Sequence, residues 1–422
     1  MFVSQRKNQF KICTLFFGIA ISQSSFAGFL EDSQSSIYLR NFYIEKDFEQ
    51  PNVPTIGSWS QGVSYLFSSG YTDTPLKVGL DGSLRYALRL NDTNENYPDT
   101  NFPYDAQSGQ LESDYAKYGL TLKLKLHNTE LRIGELNPKT PVVYIDESRQ
   151  LPTSYEGVML ESKDIAKDLK FTLGRITRIN ARNDDDYEKL SLYTSGPRYE
   201  SDGLNVLGLD YAINDYFQTS YWFGQLEDIY QQNYFSIGYK NKLWDKVNFK
   251  TDVSYFYNKE DGDAYYGVID SQAYGFTSTL ANKNQSLSLG IQKNKGDSIF
   301  PTLAGYPPQV YLPAWSNLPF IMPNEFTWFV NYAYDFSEVG VKGLKARAVY
   351  HHGSDIKRKD LADNSESEKI FALSYTLLEG KFKGLSFEWR YTDTDTKYAS
   401  TSNAPGYGFK ENRLITAYTF NF

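Results

Sequence analysis

Residues 78–91 read VGLDGSLRYALRLN. Val78, Leu80, Leu84, Tyr86, Leu88 and Leu90 share one parity with Gly82, while Asp81, Ser83, Arg85 and Arg89 fall on the other. A period of two belongs to a strand with two unlike faces. In a soluble sandwich the leucine face would be buried, and in a sheet facing lipid it would be the outer one. The rest of the chain decides between these.

The chain opens MFVSQRKNQFKICTLFFGIAISQSSFAGF, where Arg6, Lys7 and Lys11 precede an apolar run from Ile12 to Ile21 and a small-residue site ending at Ala27. This is the pattern of a secretory signal over residues 1–27. Its apolar run is shorter than the ~18 residues a membrane helix requires. The lone cysteine, Cys13, lies within the signal, so the mature chain, residues 28–422, leaves the cytosol without disulfides. Without the three bases of the signal, Lys plus Arg falls from 43 to 40 against 51 acids, and the net charge from −8 to −11. That balance argues against nucleic acid as a partner. Aromatic content is 16%, with 35 Tyr and 28 Phe, yet mean hydropathy is −0.51. A transmembrane β-barrel gives this combination, because only alternate residues meet lipid while lumen and loops stay polar.

The alternation recurs along the chain. Tyr118, Leu120, Leu122, Leu124 and Leu126 alternate with Gly119, Thr121, Lys123, Lys125 and His127, and the pattern resumes at Leu131 and Ile133 against Glu130, Arg132 and Gly134. The final run places Leu414, Thr416, Tyr418, Phe420 and Phe422 on one face. Eighteen strands are predicted, from 35–43 to 412–422, with sixteen or twenty still compatible with the boundaries. An even count, and short turns interleaved with long polar loops, are what a single-chain bacterial barrel requires. One all-β, antiparallel transmembrane barrel accounts for the mature chain.

With the leucine face in lipid, Asp81, Ser83, Arg85 and Arg89 point into the lumen, as do Arg40, Lys123, Lys125, Arg132, Lys345, Arg347, Arg390 and Arg413 by the same parity. A charge at the lipid midplane costs ~2–4 kcal/mol, which forces this choice. Arg175 shares parity with Phe171 and Leu173, and is expected at the rim or beside a bulge. Closure of the barrel makes the first and last strands neighbours, so the arginines gather into one basic wall, able to orient carboxylates. The acidic runs in Asn91–Asp114, Asp184–Asp186 and Glu260–Asp263 read as solvated loop charge, and no metal or cofactor is called for. His127, His351 and His352 give poor material for a hydrolase, and adjacent residues such as His351 and His352 face opposite ways on a strand.

The chain resembles the OprD family of substrate-specific outer-membrane porins over its mature length. The resemblance rests on GFLEDSQSSIYLRNFYIEKDF, YGLTLKLKLHNTELRIGELNPKTPVV, FGQLEDIYQQNYFSIGY, IQKNKGDSIFPTLAG and WRYTDTDTKYA…KENRLITAYTFNF, in that order. It implies an outer-membrane barrel of eighteen strands whose third and seventh loops fold inward as an eyelet reached by an arginine ladder. Carried onto this sequence, Lys139, Tyr144, Asp146 and Arg149 of the third loop are constriction residues, with Asp297 and Ser298 of the seventh opposite them. Glu388 stands in the ladder where a base is expected, which weakens it. The implied function is passive uptake of small carboxylate-bearing solutes such as amino acids or short peptides, with Asp297 and Ser298 accepting from an ammonium. A general diffusion porin is the alternative. The implied partners are outer-membrane lipid, the small solutes and the barrel assembly machinery. Monomer and homotrimer both stay open, since a tyrosine-rich lipid face and a trimer contact look alike.

Overall fold

The computed structural model describes residues 27–50, 52–91, 101–105, 109–194, 196–244, 246–358, 361–396 and 408–422. The signal reading falls on residues 1–26, outside the described residues. After a five-residue helix, Ala27–Glu31, eighteen strands form one closed antiparallel barrel. They are β1 Gln34–Phe48, β2 Ile56–Ser68, β3 Lys77–Arg89, β4 Asp114–Leu126, β5 Thr129–Leu136 and β6 Ser154–Ser162. Next come β7 Leu169–Asn180, β8 Leu204–Ala212, β9 Phe217–Leu226, β10 Tyr230–Leu243, β11 Val247–Glu260 and β12 Asp270–Ala281. The last six are β13 Gln285–Lys295, β14 Phe326–Asp335, β15 Leu344–Arg358, β16 Leu361–Thr376, β17 Ser386–Thr396 and β18 Phe409–Asn421. Each strand pairs with the next, and β1 pairs with β18 from Ser36↔Asn421 to Phe48↔Phe409. Closure leaves no strand edge, so every ladder finds its partners inside the sheet.

The parity of β3 is the one its sequence demands. Leu84 is 55% exposed and Arg85 6%, and in β4 Tyr118 is 77% exposed beside Lys117 at 1%. Exposed leucine is what a surface bathed in hydrocarbon calls for. Aromatic rings run in rows across it. Near the short-turn end, Phe217 packs on Tyr239 at 4.8 Å and Tyr239 on Phe249 at 6.1 Å. A second row, four residues further along β9, runs Tyr221, Phe235, Tyr255 and Tyr274. Such girdles sit where an amphipathic ring meets the membrane–water boundary.

The connections divide by length. His127-Asn128, 213–216 and 282–284 close one end, whereas 90–113, 137–153, 181–203 and 296–325 lie at the other. Counting every connection at that end, the third (137–153) and the seventh (296–325) supply Val142, Val143 and Ile145, and Phe300, Leu303, Leu312 and Ile321, to one buried cluster with wall residues Tyr155, Ile176, Leu204, Trp222 and Phe256. Gly224 on β9 makes room for this packing, because a Cβ there would stand 2.8 Å from the Cβ of Val142. Arg175 occupies the rim as expected. Its guanidinium grips Glu227 at 2.6 and 2.9 Å, and a register shift at Glu156/Gly157 bulges the neighbouring ladder.

Candidate functional site: the channel lumen

The predicted basic residues fall into two sectors. In the first, β3 to β5, three of the predicted cations pair with carboxylates of the wall. Arg85 meets Glu135 at 2.6 Å, Lys123 meets Asp81 at 2.6 Å, and Arg132 meets Glu130 at 2.5 Å. Arg89 lies over the ring of Phe102, 4.4 Å from its centroid, and Lys125 over that of Tyr71 at 5.5 Å. Lys117 donates to Pro152 O at 3.1 Å and to Ala181 O, which fixes the ends of the third and fourth long connections to the wall. Lys117 shares the parity of Lys123 and was legible as an inward base. Glu135 was not, because Gly134 at φ +118° breaks the alternation and turns its neighbour towards Arg85.

The second sector straddles the seam. Arg347 stands opposite Ala372 on β16, Ala372 opposite Arg390 on β17, and Arg390 opposite Arg413 on β18, so the three guanidinium groups share one cross-strand row. Arg347 donates to Asn331 Oδ1 at 3.0 Å, and Arg390 pairs with Glu388 at 2.7 Å. Glu388 is thus the local counter-ion of the row. Arg413, 2% exposed, pairs with Glu411 and donates to Asn317 Oδ1 of the seventh loop at 2.8 Å. Arg40 donates to Arg149 O at 2.6 Å and Glu147 O at 3.1 Å in the third loop. The expected uniform basic wall is therefore laced with carboxylates, and two of its arginines hold loops.

Of the proposed constriction residues, Asp146 is buried and ion-paired with Arg182 at 2.5 Å. Burial pushes its carboxyl up, but the Arg182 charge and the Ser148 donors outweigh this and hold it below the usual range. Burial, with Arg413 and Arg182 nearby, pushes the Arg149 guanidinium down. Lys139 pairs with Glu147 at 3.0 Å in the open, and Tyr144 packs edge-on against Tyr311 at 6.3 Å. Asp297 and Ser298 sit elsewhere. Ser298 exchanges hydrogen bonds with the backbone of Asp270 at the base of the seventh loop, and Asp297 is exposed beside it. The residues of that loop that reach the third are Gln309, donating to Pro141 O at 2.8 Å, and Tyr311, donating to Lys139 O at 3.0 Å. Glu368 on β16 holds the same loop, accepting from Ser316 Oγ at 2.7 Å, Asn317 Nδ2 at 3.1 Å and Leu318 N at 2.7 Å. His351 lies between Phe320 and Phe329, each 5.2 Å away, while His352 turns towards Trp328. Asp261 of the acidic run accepts from Gln225, Gln231 and the Asp228 N–H.

Within the barrel lies a cavity of about 1120 Å³. Its lining combines Pro138 to Pro141 and Val310, Tyr311 and Pro313 with residues of β1 to β12 and the end of β18. Mixed polar and aromatic lining suits transient contact with small polar solutes.

The family model for outer membrane porins of the OprD family matches residues 27–422. The chain is 29% identical to the porin-like protein GalP of Pseudomonas putida over 394 residues, which cover 93% of this chain and 92% of that one. The crystal structure of Pseudomonas aeruginosa OpdK with vanillate superposes with a TM-score of 0.86 at 30% identity, covering 94% of this chain and 100% of that one. Acinetobacter baumannii OccAB4 gives 0.87 at 33% identity, covering 92% and 98%. These relatives are channels rather than enzymes, and with a barrel closed at β1 and β18 and arginines along its lumen, the chain belongs to the OprD family of substrate-specific outer-membrane porins.

Proposed function

We propose that this porin passes small carboxylate-bearing solutes, such as amino acids or short peptides, by passive selective diffusion, with the third and seventh loops turned into the lumen as its constriction. The observation that carries this reading is the row of Arg347, Arg390 and Arg413 across the seam. Three guanidinium forks against two carboxylates, Glu388 and Glu411, leave an excess of positive charge for a passing anion. Support for the constriction comes from the bonds that join Pro141 and Lys139 to Gln309 and Tyr311. The vanillate seen with OpdK is itself a carboxylate. Export relies on residues 1–27 as the signal.

The test is single-channel recording in planar bilayers with benzoate and its uncharged analogue benzyl alcohol. Benzoate is expected to interrupt the current and benzyl alcohol not to. In the Arg347→Gln plus Arg390→Gln variant the benzoate needed rises about tenfold, as loss of charge-assisted hydrogen bonds implies. Equal behaviour of the two solutes and an unchanged variant would make the chain a general diffusion porin instead.

A further inference from the structure

Charge bookkeeping over the cavity singles out one residue. The basic side chains that line it are Arg85, Arg132, Lys139, Lys170 and Lys250. Each has a carboxylate partner within 2.5 to 3.0 Å: Glu135, Glu130, Glu147, Glu161 and Asp252. Among the lining carboxylates Asp81 is likewise taken, by Lys123. Asp210 on β8 is the one side-chain carboxylate of the lining that, among the described residues, has no cation within ion-pair distance. Lys170 stands directly across from it in the ladder but spends its ammonium on Glu161 at 2.6 Å.

The surroundings of Asp210 point to a ligand. It accepts from the Ser220 hydroxyl at 2.7 Å and from the Trp222 indole N–H at 3.1 Å, and both bonds end on Oδ1. Among the described residues Oδ2 has no donor, in a cavity wall also lined by Trp222, Tyr234 and Tyr311. Tyr234 and Tyr311 lie edge-on to one another at 5.6 Å. A carboxylate with one oxygen fixed and the other open, among aromatic faces, suits a primary ammonium, which gains a charge-assisted bond and cation–π contact together.

We propose that Asp210, backed by Trp222 and Tyr311, is the subsite that takes the ammonium group of a solute crossing the cavity. This rests on the reading of the chain as a channel for small solutes, and it places the cation-accepting pole on β8, away from Asp297 and Ser298. With the arginine row near the seam, it gives the lumen two poles, so a zwitterion would be held by opposite ends at successive points.

The probe is n-butylammonium chloride, added to single channels of the full barrel in KCl. It is expected to block the native channel, with a half-blocking concentration that rises about tenfold in Asp210→Asn and returns towards native in Asp210→Glu. Ser220→Ala, which withdraws a donor from Oδ1, lowers that concentration and needs no loss of charge. Equal block of the native channel and Asp210→Asn, or no effect of Ser220→Ala, would overturn the assignment. Benzoate interruption is unchanged in Asp210→Asn, so failure of the carboxylate reading and failure of this subsite give separate results.

Discussion

The two basic sectors of the lumen use the same side chains to different ends. Along β3 to β5, Arg85, Lys123 and Arg132 are matched by the wall carboxylates Glu135, Asp81 and Glu130. At the seam, Arg40 and Arg413 reach out of the wall to backbone and amide groups of the third and seventh loops. The Arg85 and Lys123 pairs tie strand to strand, whereas Arg40 and Arg413 fasten the loops. Arginine serves both because its planar fork offers several donors in fixed directions, so one guanidinium can meet a carboxylate and a loop at once.

The sharpest way to break this contrast is Arg413→Ala against Arg85→Ala. Removing Arg413 strands the buried Glu411 and is expected to cost about 3–5 kcal/mol in urea unfolding of the micelle-bound barrel. It also withdraws the donor to Asn317 Oδ1 and loosens the seventh loop there, so conductance should rise. Arg85→Ala strands Glu135 at a similar cost but leaves conductance unchanged. Equal gating effects of the two variants would dissolve the distinction.

A smaller effect comes from pH. Glu325 ends the seventh loop, fully buried, and burial pushes its carboxyl up to about 7 from the ordinary 4.5. Glu366 and Glu368 of β16 and Lys293 of β13 are the charged groups that act on it and its neighbours. A carboxyl raised on folding binds its proton more tightly in the native state. Its contribution is therefore complete below about pH 4.5 and disappears as pH rises through 7. The thermal midpoint should fall by a few degrees between pH 5 and 8, and Glu325→Gln should flatten that slope. The smallest effect is expected at Lys139, whose pair with Glu147 lies in the open at 3.0 Å. Lys139→Ala should change unfolding free energy by about 0.2–1 kcal/mol, a reference point for pairs that hold nothing else.

The barrel was legible wherever lipid enforces alternation. The strand over residues 78–90, the hairpin at His127-Asn128 and the closing strand all lie within a few residues of their expected places. Alternation fails above the membrane, where both faces of a strand meet water. There β15 runs on to Arg358 and β16 begins at Leu361, through stretches where no apolar parity marks a strand. The site was legible in part. Inward bases followed from parity, but their counter-ions did not, since Glu135 turns inward only through the left-handed Gly134, and Arg182, the partner of Asp146, lies in a loop with no period to read. Asp210 carries no motif. Its standing emerges only when every neighbouring charge has been matched.

The seam between β1 and β18 has a further consequence for biogenesis. Arg40 holds the third loop from β1, and Arg413 holds the seventh from β18, while Gln309 and Tyr311 tie those loops to each other. In a half-assembled barrel the two anchors stand on opposite free edges. Only closure of the sheet brings these two anchors side by side, while Glu368 on β16 already holds the seventh loop on its own side of the seam.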